Sequence, residues 1–232
     1  ISSDRCVRLK KKALFVLSQH ESERAMNETA RVVRSDMEME LREYGVQLIG
    51  QYDDEAAYNL LTEMYDELKN PKARRNVIYA LSRRDDEASL RKMIEIAKKD
   101  PDSEVRQFAI HWISNSDYQD IALQGLREMY SSDAPLEERK RVLYSISRMD
   151  DEEKAVQVLI EIAKKEPNVE LRKSAVHSLS RMDMEGMASL LIDLFKSEQN
   201  EEMQKAILYS LSRLDDEEEA ARVLTELYSP SL

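Results

Sequence analysis

Residues that break or cross-link a chain are scarce. Only 4 Gly and 5 Pro interrupt 232 residues, while Ala, Leu, Glu, Lys, Arg and Met abound, the composition of an all-helical protein. The single cysteine, Cys6, excludes an intrachain disulfide, and we expect a half-buried structural thiol near a frayed end. No apolar run approaches the roughly twenty residues that a membrane-spanning helix needs. Positive charge is in deficit too. With 35 Lys and Arg against 46 Asp and Glu, the net charge of −11 argues against a non-specific grip on a phosphate backbone, although it leaves room for a local basic patch. Gly-rich phosphate loops, Cys/His clusters and nucleophile motifs are missing, so we assign no catalytic residue, metal ligand or cofactor. No signal peptide is visible, yet the chain begins on Ile1 and not Met, so we expect that a leader or N-terminal segment has been removed. The compartment stays open between cytoplasm and periplasm or exterior.

What is present is one motif, repeated. It is clearest at Leu81-Ser82-Arg83-Arg84-Asp85, Ile146-Ser147-Arg148-Met149-Asp150, Leu179-Ser180-Arg181-Met182-Asp183 and Leu211-Ser212-Arg213-Leu214-Asp215. Weaker copies stand at Leu17-Ser18, Ile49-Gly50 and Ile113-Ser114. From Leu81 through Ile113, Ile146 and Leu179 to Leu211 the steps are 32 or 33 residues. A fixed period of this length marks a solenoid, in which each unit contacts mainly its neighbours. We expect one solenoid domain over 1–232, with units near 4–34, 36–69, 70–99, 100–131, 133–165, 166–197 and 198–229. The fold class is all-α, a right-handed α-solenoid of about seven helical hairpins.

Apolar spacing places first helices near 5–19, 38–51, 72–84, 103–115, 136–148, 168–181 and 200–213. Second helices fall near 22–34, 54–69, 86–99, 118–130, 151–165, 184–196 and 216–228. Between them Asp53, Asp85, Asp117, Asp150, Asp183 and Asp215 sit where an N-cap is wanted, and Pro71, Pro101, Pro135 and Pro167 punctuate the joints between units. Aligning the units gives a mostly small column, Ala13, Gly45, Val77, Ala109, Val142, Ala175 and Ile207, suited to close helix packing. Beside it runs an aliphatic one, Leu14, Val46, Ile78, Ile110, Leu143, Val176 and Leu208. Met149 and Met182 in the turn motif are expected to fill the core.

A third column reads Lys10, Arg42, Arg74, Arg106, Arg139, Arg172 and Gln204, on the edge of the apolar arc. A guanidinium there needs a partner, because an unpaired buried charge is costly. Asp4, Asp36, Asp100, Asp133, Glu166 and Glu198 stand six residues earlier, with Leu68 the exception, so a ladder of ion pairs linking neighbouring units is expected. This Asp-x5-Arg relation resembles the HEAT-repeat family, including bacterial HEAT-like repeats of the phycobilin-lyase type. The Val-Arg-x-x-Ala pattern at Val105-Arg106-Gln107-Phe108-Ala109 and the unit length carry the same resemblance. It covers roughly 4–228. The resemblance implies that the Arg-bearing helix is the second of its unit and lines the concave side. By that convention the chain opens on such a helix without its partner, and we expect that it was cut from something longer.

If those helices line a concave surface, three columns face it. Lys11, Glu43, Arg75, Gln107, Lys140, Lys173 and Lys205 come first; Phe15, Gln47, Tyr79, His111, Tyr144, His177 and Tyr209 follow; Gln19, Gln51, Arg83, Asn115, Arg148, Arg181 and Arg213 close the arc. Basic, aromatic, basic is an order that suits a protein or an extended acidic peptide. The candidate partner-binding residues are therefore Tyr79, Arg83, His111, Trp112, Lys140, Tyr144, Arg148, Lys173, His177, Arg181, Tyr209 and Arg213. For Trp112, packing between helices competes with a role as partner anchor. His111 and His177 lie two units apart and are too distant to share a metal; His20 is expected in a turn.

The leading expectation is a non-enzymatic interaction scaffold. Nucleic-acid binding on the basic columns is the first alternative, disfavoured by the net charge. An architectural segment of a larger extracellular or periplasmic assembly is the second. A chromophore-attachment role follows from the lyase-type resemblance alone, which is to the repeat and not to a site.

Overall fold

The computed structural model describes residues 2–20, 22–34, 39–52, 54–130, 133–214, 221 and 225. Among them every regular element is a helix. These are α1 (Ser2–Ser18), α2 (Glu23–Arg34), α3 (Met39–Ile49), α4 (Glu55–Glu67), α5 (Pro71–Ser82), α6 (Glu87–Lys99) and α7 (Ser103–Ile113). They are followed by α8 (Gln119–Met129), α9 (Leu136–Ile146), α10 (Glu152–Lys165), α11 (Val169–Leu179), α12 (Met187–Ser197) and α13 (Glu201–Leu211). Of the helix expected at 216–228 only residues 221 and 225 are described, both helical, and the caps at Asp53 and Asp215 and the acid at Asp36 lie outside the described residues. No helix among those described is long and apolar enough to cross a membrane.

The chain gathers into two compact units, Ile1–Ala122 and Leu123–Leu232. In the first, α1, α3, α5 and α7 lie side by side as one layer, with α2, α4 and α6 packed against it. In the second, α9, α11 and α13 form the equivalent layer, backed by α10 and α12. The even helices α2, α4, α6, α10 and α12 each pack more closely on the odd helix that follows than on the one that precedes it. The Arg-bearing odd helix is thus the second member of the tight hairpin, the pairing that the resemblance implies.

The alignment columns are the core. Val46, Ile78, Ile110, Leu143 and Val176 are buried, as are Gly45, Val77, Ala109, Val142, Ala175 and Ile207. From the even helices Leu61, Met93, Leu126, Leu159 and Leu191 meet them. Burying each such side chain is worth roughly 1.5–3 kcal/mol. Two of the small positions set how closely helices approach. A methyl group added at Gly50 would stand 2.8 Å from Cβ of Ala80, and one at Gly45 would stand 2.4 Å from a methyl of Val33. Met149 and Met182 are buried as core filling requires.

Three expectations are corrected. Cys6 is exposed and not half-buried, and Ala13 is exposed where its column is otherwise buried. Both lie on α1, whose Leu9, Phe15 and Val16 also face solvent because, among the described residues, helices cover only one flank of α1. The N-caps fall one residue later than expected. Asp54, Asp86 and Asp151, the second acid of each pair, accept from the backbone N–H of Ala57, Ser89 and Lys154. Asp85 and Asp150, the first acids of the two later pairs, lie in the turn, where Asp85 takes a left-handed backbone, φ 46°; Asp53 lies outside the described residues. Asp183 caps nothing either: α12 starts only at Met187, after Gly186 at φ 81°.

The first helices also end about two residues sooner than their apolar pattern suggests. The motif serine stops them. Ser18, Ser82, Ser114, Ser147, Ser180 and Ser212 each donate to the carbonyl three residues back, at 2.8–3.0 Å, satisfying an acceptor the helix end leaves open. The carbonyls so engaged belong to Phe15, Tyr79, His111, Tyr144, His177 and Tyr209, the middle column of the proposed surface. The repeated serine therefore pins the helix turn that carries each ring.

Candidate functional site

The Arg column forms the expected ladder, with a partner assignment that spacing alone does not reveal. Arg74 pairs with buried Asp100 at 2.9 Å, Arg139 with Glu166 at 2.6 Å and Arg172 with Glu198 at 2.5 Å. Each carboxylate comes from the joint after the next helix, so the pair ties one hairpin to the following one. The position six residues earlier contributes its carbonyl. Arg74 donates to Leu68 O, Arg106 to Asp100 O, and Gln204 to Glu198 O. A carbonyl needs no acidic side chain, which explains why Leu68 could break the pattern. Tyrosines complete the acid's shell: Tyr65 donates to Asp100, and Tyr130 to Glu166 at 2.9 Å. Burial first, then the neighbouring carboxylate, pushes both phenols above their ordinary range. This cluster holds hairpins together and leaves no cation free for a ligand.

The outward columns separate into two electrostatic classes. In the first basic column the charges are neutralised by carboxylates. Lys11 pairs with Glu40 at 2.5 Å, Arg75 with Glu104 at 3.2 Å, Lys140 with Glu137 at 3.0 Å, Lys173 with Glu202 at 2.9 Å and Lys205 with Glu201 at 2.6 Å. Two candidate residues, Lys140 and Lys173, are therefore already engaged. The last column differs. Arg83, Arg148, Arg181 and Arg213 are exposed and have no carboxylate partner among the described residues. Arg148 donates to the hydroxyl of Tyr144 at 3.4 Å, and Arg213 to that of Tyr209 at 3.1 Å.

Rings and guanidiniums interleave in the second unit. Tyr144 has the Arg148 guanidinium 5.9 Å from its ring centre and that of Arg181 at 5.3 Å; Arg213 stands 5.7 Å from Tyr209. Stacking of this kind orients a guanidinium without neutralising it. Hydrogen bonding from Arg148, with Arg181 adding its field, holds the Tyr144 hydroxyl below its ordinary range. His177 lies between Arg181 and Arg213; burial, then those two charges, lower its pKa from the ordinary imidazole value. The structure thus places Tyr144, His177 and Tyr209 in the last turns of α9, α11 and α13, neighbours in one layer, with Arg148, Arg181 and Arg213 in the turns that follow.

In the first unit the candidates gather differently. Trp112 is half-buried and meets the ring of Tyr79 edge-on at 5.3 Å, with Phe108 at 6.2 Å and His111 at 5.4 Å. The Tyr79 contact joins α5 to α7, so Trp112 packs between helices. A hollow of about 470 Å³ lies beside it, lined by Gln47, Gly50, Gln51, Tyr79, Ala80 and Arg83. In the second unit a hollow of about 330 Å³ is lined by His177, Arg181, Met182, Met184, Met187 and Arg213, among others. Of its methionines only Met182 is expected from the turn motif to fill the core, and the three-dimensional turn reveals that Met182, Met184 and Met187 line a surface opening. Among the described residues no three His, Cys, Asp or Glu gather closely enough to hold a metal ion.

A family model described as HEAT repeats matches residues 26–114, 120–212 and 156–231. No curated protein matches the chain. Among solved structures, human deoxyhypusine hydroxylase in complex with glycerol is 17% identical with a TM-score of 0.40, covering 95% of this chain and 84% of that one. The CpcE–CpcF complex of phycocyanin lyase from a Nostoc species is 15% identical with a TM-score of 0.39, covering 97% of this chain and 89% of that one.

Proposed function

The chain belongs to the HEAT-repeat family, and from that premise we propose that it is a non-enzymatic interaction scaffold holding an extended acidic segment of a partner protein. The odd-helix layer, taken as the concave side, is the binding face. One observation carries the reading. On these helices Lys11, Arg75, Lys140, Lys173 and Lys205 are neutralised by neighbouring carboxylates, whereas Arg83, Arg148, Arg181 and Arg213, just past the helix ends, stand exposed with none among the described residues. In a chain of net charge −11, cations left uncompensated in register are where an acidic partner gains most. The tyrosines beside them add rigid contact area at small entropic cost. In the first unit Tyr79, His111 and Trp112 stand on its own odd-helix layer, and in the second Lys140 and Lys173 form the rim of that unit's layer.

The test is fluorescence anisotropy with a labelled peptide of alternating Glu and Leu. Replacing Arg148, Arg181 and Arg213 together by Glu is expected to lower affinity by about a hundredfold, since each exposed charge pair is worth up to about 1 kcal/mol. Unchanged affinity would discard the face.

Uncompensated arginines also suit phosphate, which keeps nucleic acid as a second reading. The chain's negative charge opposes it. A mobility shift on duplex DNA at low salt decides between them, because phosphate-backbone binding fades steeply as salt rises.

A further inference from the structure

The hollow of about 330 Å³ at the ends of α11 and α13 arises from a local departure in the repeat. Before α4, α6 and α10 an Asp cap starts the even helix promptly: residues 83–86 separate α5 from α6, and residues 147–151 separate α9 from α10. Between α11 and α12 the turn runs over residues 180–186. The cause is in the sequence. Asp-Met-Glu-Gly replaces the paired acids, Gly186 takes a left-handed backbone (φ 81°), and the helix begins at Met187 without a side-chain cap. Backbone that would fill the corner is displaced, and Met182, Met187 and Ala188 become the floor of an opening.

Its rim is cationic. Among the described residues Arg181 and Arg213 border it without a carboxylate partner, and Asp183 is the one acidic group on the lining. Burial and those guanidiniums hold His177 below the ordinary imidazole range, so at neutral pH its ring offers a hydrogen bond and not a third charge. The floor is apolar and made of methionines, which adapt to irregular shapes. The volume lies at the small end of ligand pockets, about 300–1,000 Å³, large enough for a side chain and too small for a folded surface. The hollow in the first unit lacks this combination, since Gln47 and Gln51 stand where His177 and Arg181 would confer polarity or charge and no methionine lines it.

We propose that this hollow is the specificity subsite of the scaffold, taking an apolar side chain on the methionine floor while Arg181 and Arg213 hold the carboxylate of the Asp or Glu next to it. It rests on the reading of the arginine face above. The preferred partner segment is therefore acidic-apolar in alternation, and not simply acidic.

Three labelled peptides distinguish the possibilities: Glu alternating with Leu, Glu with Ser, and Gln with Leu. The Glu/Leu peptide is expected to bind at least about tenfold more tightly than either other, as burial of one aliphatic side chain and one charge-assisted contact each warrant. Met184→Glu places a negative charge in the half-exposed wall of the hollow and should lower Glu/Leu affinity by about tenfold, and Glu/Ser affinity by less, because only the Glu/Leu peptide also seats an apolar side chain there. Met184→Gln, neutral and of similar length, should retain Glu/Leu binding, and circular dichroism of both variants reports that the helices persist. Equal affinity for the Glu/Leu and Glu/Ser peptides, with Met184→Glu silent, would overturn the subsite and leave the arginine face standing. Equal affinity for the Gln/Leu peptide would remove the role of Arg181 and Arg213. Absence of binding by every acidic peptide would remove the underlying reading as well.

Discussion

At the residue scale, the same side-chain type has opposite fates according to burial. The Arg74–Asp100 pair is almost closed to solvent, with side chains 10% and 1% exposed, and a buried charge deprived of its partner costs about 3–5 kcal/mol. Arg75 and Glu104, at 34% and 73%, exchange one solvated ion pair for hydration. Arg74→Ala is accordingly expected to cost about 3 kcal/mol in urea unfolding, and Arg75→Ala less than about 1 kcal/mol. Tyr65 gives a pH signature at the same cluster. Its phenol is raised in the folded state by burial and by Asp100, so its stabilising bond is fully present below about pH 10, the unfolded phenol's range, and is lost as pH rises beyond it. Tyr65→Phe should cost on the order of 1–2 kcal/mol near pH 7. It should also flatten the decline in the urea midpoint between about pH 9 and 11. A decline of unchanged slope would show that Tyr65 does not drive it.

At the scale of the element, helices were legible because their apolar residues recur at helical spacing, and their ends were less so. An Asp-Asp pair offers two equally good caps to sequence reasoning. Geometry selects the second, because the first must turn the chain, as Asp85 does at φ 46°. Asp86→Ala should therefore cost about 1 kcal/mol, whereas Asp85→Asn should be close to neutral because Asn tolerates the left-handed region. Thermal melts of the two variants check the assignment, and reversed values would restore the first acid as cap. The serine that ends each odd helix was visible as a repeated letter. Its action on the carbonyl three residues back required the hydrogen bond to be seen. Spacing permits the neutralising pairs of the first basic column without deciding them. Lys11 and Glu40, Arg75 and Glu104, and Lys173 and Glu202 are each 29 residues apart, a spacing set by one step of the repeat.

At the scale of the molecule, stability in each compact unit comes from hairpin laid on hairpin, with each element touching near neighbours. A cavity should then weaken the array locally before it weakens the whole. Leu143→Ala, at a fully buried position of α9, is expected to cost about 2–5 kcal/mol. Amide exchange should accelerate first in α9, α10 and α11, and uniform acceleration across both units would refute nearest-neighbour stacking.

The period, the helices, the core columns and the acid–arginine ladder were determined by the sequence itself, because each rests on local spacing that recurs unit after unit. Tertiary structure alone decided which cations remain uncompensated, that Trp112 lies against Tyr79, and that the long turn before Met187 opens a hollow. Those outcomes depend on where the neighbouring helix sets its side chains. A distance across a helix interface of a few ångströms, and not a spacing along the chain, separates a neutralised lysine from an arginine available to a partner.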